Sequence, residues 1–237
     1  MRIIPERLAQ IGHLKKGSHG PSSHEMCAME AVAYVAGEPW SAAPKCACPV
    51  ITAFMVTWND SLPNDAERDR LLKGLILEIV GTRSTKSVEM RRATLAADWL
   101  IRTHTPAWLR RAKLETQAAL LESLPEITDF AQCSVLMNVL HAVRIDANSA
   151  KVAAGGAAVG DAVVTAGDAA WEAARVSAKV AVGDAAWDVA WVAARVAAEV
   201  AAKVAAVEAL KSTTSQLQIS AVALIRKMIA VKEGNNL

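Results

Sequence analysis

In residues 150–211 Ala is by far the commonest residue, with Val, Trp and regularly spaced charges. Such a composition leaves little conformational choice, because Ala has the strongest helix propensity of all residues. The stretch also repeats itself: GDAAWEAARVSAKVAV at 167–182 is echoed by GDAAWDVAWVAARVAA at 183–198. At about 100° per residue, Asp161, Thr165, Asp168, Glu172, Arg175 and Lys179 fall on one stripe. Asp184, Asp188, Arg195, Glu199 and Lys203 fall on nearly the opposite side of the same rod. One straight helix would therefore exchange its wet face at Gly183. A break resolves the conflict, with Gly183 ending one helix and Asp184 capping the next, and Gly155-Gly156 marks an earlier break. The expectation is an Ala-rich helical hairpin of 161–182 against 184–210. Between Val192 and Val204 the pattern is Val-Ala-Ala-charge with a period of four, which drifts around the helix and argues against a left-handed coiled coil. Trp171, Trp187 and Trp191 would fill the gaps that small residues leave, or anchor a partner.

The rest of the chain also reads as helices. Ser22-Ser23-His24-Glu25 has capping-box spacing ahead of CAMEAVAYVAG, which Gly37 stops. Pro49 opens VITAFMVTW, and SLPND ends it. DAERDRLLKGLILEIVG carries acids in its first turn and ends at Gly81. Ser84 or Thr85 caps KSVEMRRATLAADWLIRTH. Thr105-Pro106 restarts a helix through PAWLRRAKLETQAALLESL. Ser123-Leu124-Pro125-Glu126 opens another towards 147, and SQLQISAVALIRKMIAVK is a last amphipathic helix. No segment alternates polar and apolar residues between hairpin signals. The fold class expected is all-α: a multi-helix bundle over 1–150, then 151–237 as the Ala-rich hairpin plus a terminal helix. The hydrophobic fraction of 53% is mostly small residues, with aromatics only 4%.

Uncharged runs reach about 14 residues, as in Cys46–Asn59, short of the roughly 18 that a membrane span needs. The start, MRIIPERLAQIGHLKK, has no apolar core of signal-peptide length. The expected location is the cytoplasm, where clustered cysteines are more often metal ligands or free thiols than disulfides.

His24, Cys27, Cys46 and Cys48 are such a cluster. His24 and Cys27, three apart, would share a helix face, and a Cys-x-Cys loop would complete a tetrahedral shell. Zinc, with its preference for thiolate and imidazole, is the expected ion, in a structural role because four protein ligands leave no open position. The alternative is that the cysteines are buried small apolar residues. His19 is a reserve ligand, and Glu30 a partner behind the ligands or a base. Two enzyme templates fail: the second His of His-Glu-x-x-His is Ala28 here, and Pro44-Lys45-Cys46-Ala47-Cys48 lacks the deaminase Pro-Cys-x-x-Cys spacing. Cys133 reads as core, and His104 and His141 as ordinary core or surface histidines.

Net charge is +2, which names no partner. Arg83, Lys86, Arg91, Arg92, Arg102, Arg110, Arg111 and Lys113, with Trp99 and Trp108 nearby, would suit a nucleic-acid surface. Helical spacing scatters them over several directions, however, and no recognition-helix motif accompanies them.

The segments CAMEAVAYVAGEPW and KCACPVITAF, with the Ala/Trp-rich tail behind them, resemble a group of uncharacterised bacterial and phage proteins. The tail is similar in composition to the Ala-rich helices of bacterial immunity proteins. The resemblance implies a phage or bacterial defence-related accessory role and supplies no catalytic residues. The leading expectation is an all-helical interaction protein with a structural metal, partnered by another protein or by itself through the Ala/Trp-rich helices. The runner-up is a metal-dependent enzyme with Glu25 or Glu30 as acid/base, and the third reading is a nucleic-acid binder.

Overall fold

A computed structural model describes residues 3–129, 131–153 and 207–234. The predicted hairpin of 161–210, its break at Gly183 and the seating of Trp171, Trp187 and Trp191 lie outside the described residues. What is described is all-α, with one isolated parallel bridge, Leu14 to Met26, and no strand. No helix among the described residues is long and apolar enough to cross a membrane.

A 3-10 turn at Pro5–Gln10 leads, through an extended segment, to helix α1 (Ala28–Val35). Every residue of α1 except Tyr34 is buried, as expected of a helix apolar on all sides. It ends as the sequence indicates: Gly37 takes a left-handed φ of 68°, and the Glu38 N–H reaches back to the Ala33 carbonyl. Its start differs. The cap is Cys27 with Glu30, not the Ser22-to-Glu25 box, because the Glu30 carboxylate turns back onto the Cys27 N–H at 2.8 Å.

Helix α2 (Pro49–Ser61) follows, with Ile51, Phe54, Met55 and Trp58 fully buried. Asn64 then caps α3 (Asp65–Leu72) by accepting from the Glu67 N–H. The expected single helix to Gly81 is interrupted by a 3-10 turn at Lys73–Leu75, around Gly74, before a short α4 (Ile76–Ile79). Arg68, buried, ties α3 to the end of α2 by donating to the carbonyls of Asn59 and Leu62.

Helix α5 (Lys86–Trp99) does not stop at Thr105-Pro106. It continues through a π turn at Leu100–His104 into α6 (Thr105–Arg111). Pro106 has no N–H to continue the ladder, and just before it the Leu100 carbonyl accepts both the Thr105 N–H and, at 2.8 Å, the Thr105 hydroxyl. The expected run from 106 to 124 breaks at Lys113, whose φ is 62°, with the Leu114 N–H bonded back to Leu109. That is a left-handed helix stop filled by Lys where Gly is usual. Helix α7 (Glu115–Glu122) then runs on to a loop.

The helix expected from Ser123-Pro125 starts later, as α8 (Ala131–Ala153). The intervening chain is held as a loop because the Asp98 carboxylate accepts the Ile127 N–H. Gln132 accepts the N–H groups of Thr128 and Asp129, while Asp129 accepts that of Ala131. Helix α8 buries Leu136, Leu140, Val143 and Ala147, a stripe at helical spacing.

The last helix, α9 (Val207–Ala230), seats on the body formed by the earlier helices. Leu210, Leu217, Ala221, Leu224, Ile225 and Met228 join the same hydrophobic core as α1 and α2. Trp99 donates to the Ser220 hydroxyl at 2.7 Å, Arg111 to Thr213 at 2.7 Å, and Arg226 pairs with Glu78 at 3.0 Å. Arg92, fully buried on α5, donates to the carbonyls of Met228, Val231 and Thr82. A guanidinium at the negative end of a helix is well placed both for its dipole and for its open carbonyls.

Candidate functional site

The four expected ligands do not start from a common helix. His24 lies before α1, exposed, with a left-handed φ of 57°, so it shares no helix face with Cys27 and the geometric premise for that pair fails. Cys27 caps α1 and is 2% exposed. Cys46 lies in the loop ahead of α2, where its carbonyl accepts the Arg83 N–H. Cys48 caps α2, and its N–H donates to the Thr82 hydroxyl at 3.0 Å. All three thiols are free and buried within one core. Among the described residues, no group of three or more His, Cys, Asp or Glu side chains is arranged to hold a metal ion. Cys133 sits on α8.

The structure instead centres the region on Glu30. Its carboxylate, 1% exposed, accepts from the Ser18 hydroxyl, the His19 N–H, the His19 Nδ1 and the Cys27 N–H, at 2.7–3.2 Å. Burial pushes the Glu30 carboxyl up, but the His19 and Cys27 N–H groups and the His19 ring outweigh it and hold the group below its ordinary value. A carboxylate can only accept, so His19 carries a proton on Nδ1 where it meets Glu30. Burial, with a smaller contribution from the Glu30 charge, pushes the Cys27 thiol up to about 12. Burial likewise raises Cys46, reinforced by Glu38. A nucleophilic cysteine needs a lowered value and an electropositive setting; Cys27 has the reverse. What the arrangement does is fix a helix start and the chain that crosses it.

That chain is the segment 12–20. Asp69 on α3 accepts the Leu14 N–H at 2.9 Å and the His13 ring at 2.6 Å. Asp65 pairs with Lys15 at 2.6 Å, and Asp60 accepts the Gly17 N–H at 2.9 Å. Asn59 donates to the Lys15 carbonyl and accepts from the Ala28 N–H, while Trp40 donates to the His19 carbonyl. The sequence reading singled out His19 and Glu30 separately but missed their union. It also missed the row Asp60, Asp65 and Asp69, whose charges read as ordinary helix-face acids.

The basic residues of 83–113 are largely engaged one by one. Arg83 and Lys86 approach Glu89, Arg102 pairs with Asp98, and Arg110 pairs with Glu115 and Glu122. Arg92 is buried, and Arg111 is turned onto Thr213. His104 is buried between Trp99 and Trp108, with ring centroids 5.2 and 6.4 Å away. A cavity of about 440 Å³ opens between α5 and the 126–128 loop. Its wall sets Arg91 against Glu126 and thus favours neither sign of ligand charge. Comparison of the chain with protein families, curated proteins and solved structures finds no match.

Proposed function

We propose that this chain is a cytoplasmic helical interaction protein that presents its Ala/Trp-rich stretch, 154–206, to a second copy of itself. The observation that carries the reading is the seating of α9. Residues on both sides of 154–206 belong to one core, so the stretch is an insertion tethered at both ends to a packed body. Its duplicated 16-residue unit repeats one pattern of small residues, charges and Trp, and a repeated pattern suits a second copy of the same chain. Three Trp in an Ala background supply the anchors that interfaces favour. The resemblance of the Cys-containing segment and tail is the support for a phage or bacterial accessory role. A structural zinc belongs to this reading through the spacing of His24, Cys27, Cys46 and Cys48 and the ligand preference of the ion.

The test compares the full chain with a variant in which a flexible Gly/Ser linker replaces 154–206, using light scattering after size exclusion. The expected result is association of the full chain and a folded monomer for the variant. Equal behaviour of the two, whether both are monomeric or both associate, discards the reading. Elemental analysis of the purified chain decides the zinc: about one ion per chain supports it, and none removes it.

A further inference from the structure

The segment 12–20 is attached in an unusual way. Apart from the Lys15 N–H to Met26 carbonyl bond and, at its far end, the Ser23 N–H to Gly20 carbonyl bond, its backbone bonds run to side chains: Leu14 to Asp69, Lys15 to Asn59, Gly17 to Asp60 and His19 to Glu30. Leu14 alone of these residues is buried. The stretch that joins it to α1, 20–25, is exposed throughout, and His24 there holds a left-handed φ of 57°. That conformation is uncommon for a residue other than glycine, although His enters it more readily than most, and such residues gather in turns and at switch segments. The strap closes directly over the α1 start, since Ser18, His19 and the Cys27 N–H all meet on one carboxylate.

We infer that residues 12–20 are a releasable strap that swings about 20–25 as a unit, ahead of any opening of the helices, and bares Glu30 and the Cys27 thiol. The groups facing the strap are Asp60 on α2, Asp65, Arg68, Asp69 and Lys73 on α3, Glu30 on α1, and Glu25 beside it. The strap answers them with His13, Lys15 and His19. It is thus a basic segment laid along an acidic row, a contact that any competing basic chain or loss of those carboxylates weakens. Local opening of this kind is set by the few bonds broken and not by the stability of the whole fold.

The experiment reads each thiol separately. The intact protein is pulsed at pH 8 with a disulfide reagent, which forms a mixed disulfide and releases the reagent's thiol. Modified peptides are then quantified by mass spectrometry. In the double variant Asp60→Ala, Asp69→Ala, Cys27 is expected to react at least about tenfold faster than in the parent, with Cys48 unchanged. Cys48 lies in the same core, so global unfolding would accelerate both. Equal acceleration of Cys27 and Cys48, or no acceleration of Cys27, overturns the inference. Hydrogen exchange on the unaltered chain gives an independent reading. The Leu14, Gly17 and His19 amides should exchange together and well before those of Val32 and Phe54, and exchange in step with those core amides overturns it as well.

Discussion

Arg92 shows how one residue can decide where a helix sits. Its guanidinium is buried and reaches two carbonyls at the α9 end and one at Thr82. Arg92→Met keeps most of the volume but leaves those carbonyls without their charged donor. The expected loss is about 3 kcal/mol, read from the midpoint shift in urea denaturation. A loss below about 1 kcal/mol would mean that apolar packing alone seats α9. Glu30, Asp65 and Asp69 act in the opposite sense, as anions. Asp65 is held below its ordinary value by Lys15. At Asp69, burial pushes the carboxyl up, but the Leu14 N–H, His13 and Lys73 outweigh it and keep it low. Carboxyls lowered in the folded state stabilise it fully above their ordinary value of about 4 and lose that contribution as pH falls through the lowered value. Stability should therefore be nearly flat from pH 7 to 5 and fall below pH 4. Asp69→Ala should lower the plateau and make the fall shallower. The denaturation midpoint at each pH gives the measurement.

At the scale of elements, the fold was most legible where the cue is local. Gly37 and Gly81 both have left-handed φ, and Pro49 opens α2 as expected. Errors arise where a stop or start is made by residues without a compositional mark. Lys113 stops α6 in the conformation usually given to Gly, and the start of α8 is set by Asp129 and Gln132 with help from Asp98, about thirty positions earlier. The Glu30 network was illegible for the same reason. Each of its residues was in view, but the path that brings His19 to Glu30 is fixed by acids on α2 and α3, far along the chain. The α8 start is directly testable: Asp129→Ala should cost about 1 kcal/mol as the loss of a cap, and Gln132→Ala a similar amount. Faster amide exchange in the first turn of α8, with α1 unchanged, is the expected signature.

For the whole molecule, the decisive fact is that the core contains helices from both sides of 154–206. Sequence composition suggests a boundary near 150, but α9 packs on the earlier helices and its Leu and Met residues share their core. Composition marks where a different material begins, and it cannot mark where the chain returns. Replacing 154–206 by a flexible linker of about 20 residues should therefore leave the body folded, with a denaturation midpoint within about 1 kcal/mol of the parent's. A collapse of the folded signal would instead make the stretch part of the core. The same arrangement imposes an order on synthesis. The ribosome delivers α1 to α8, then the whole Ala-rich stretch, and only afterwards the helix that covers the faces of α3 to α6. Until α9 emerges, those apolar faces stay open to water beside a nascent chain, a period in which partly folded chains are prone to aggregate. A transcript cut before residue 207 should accordingly yield insoluble protein, and supplying 207–237 as a separate peptide during expression should recover part of it.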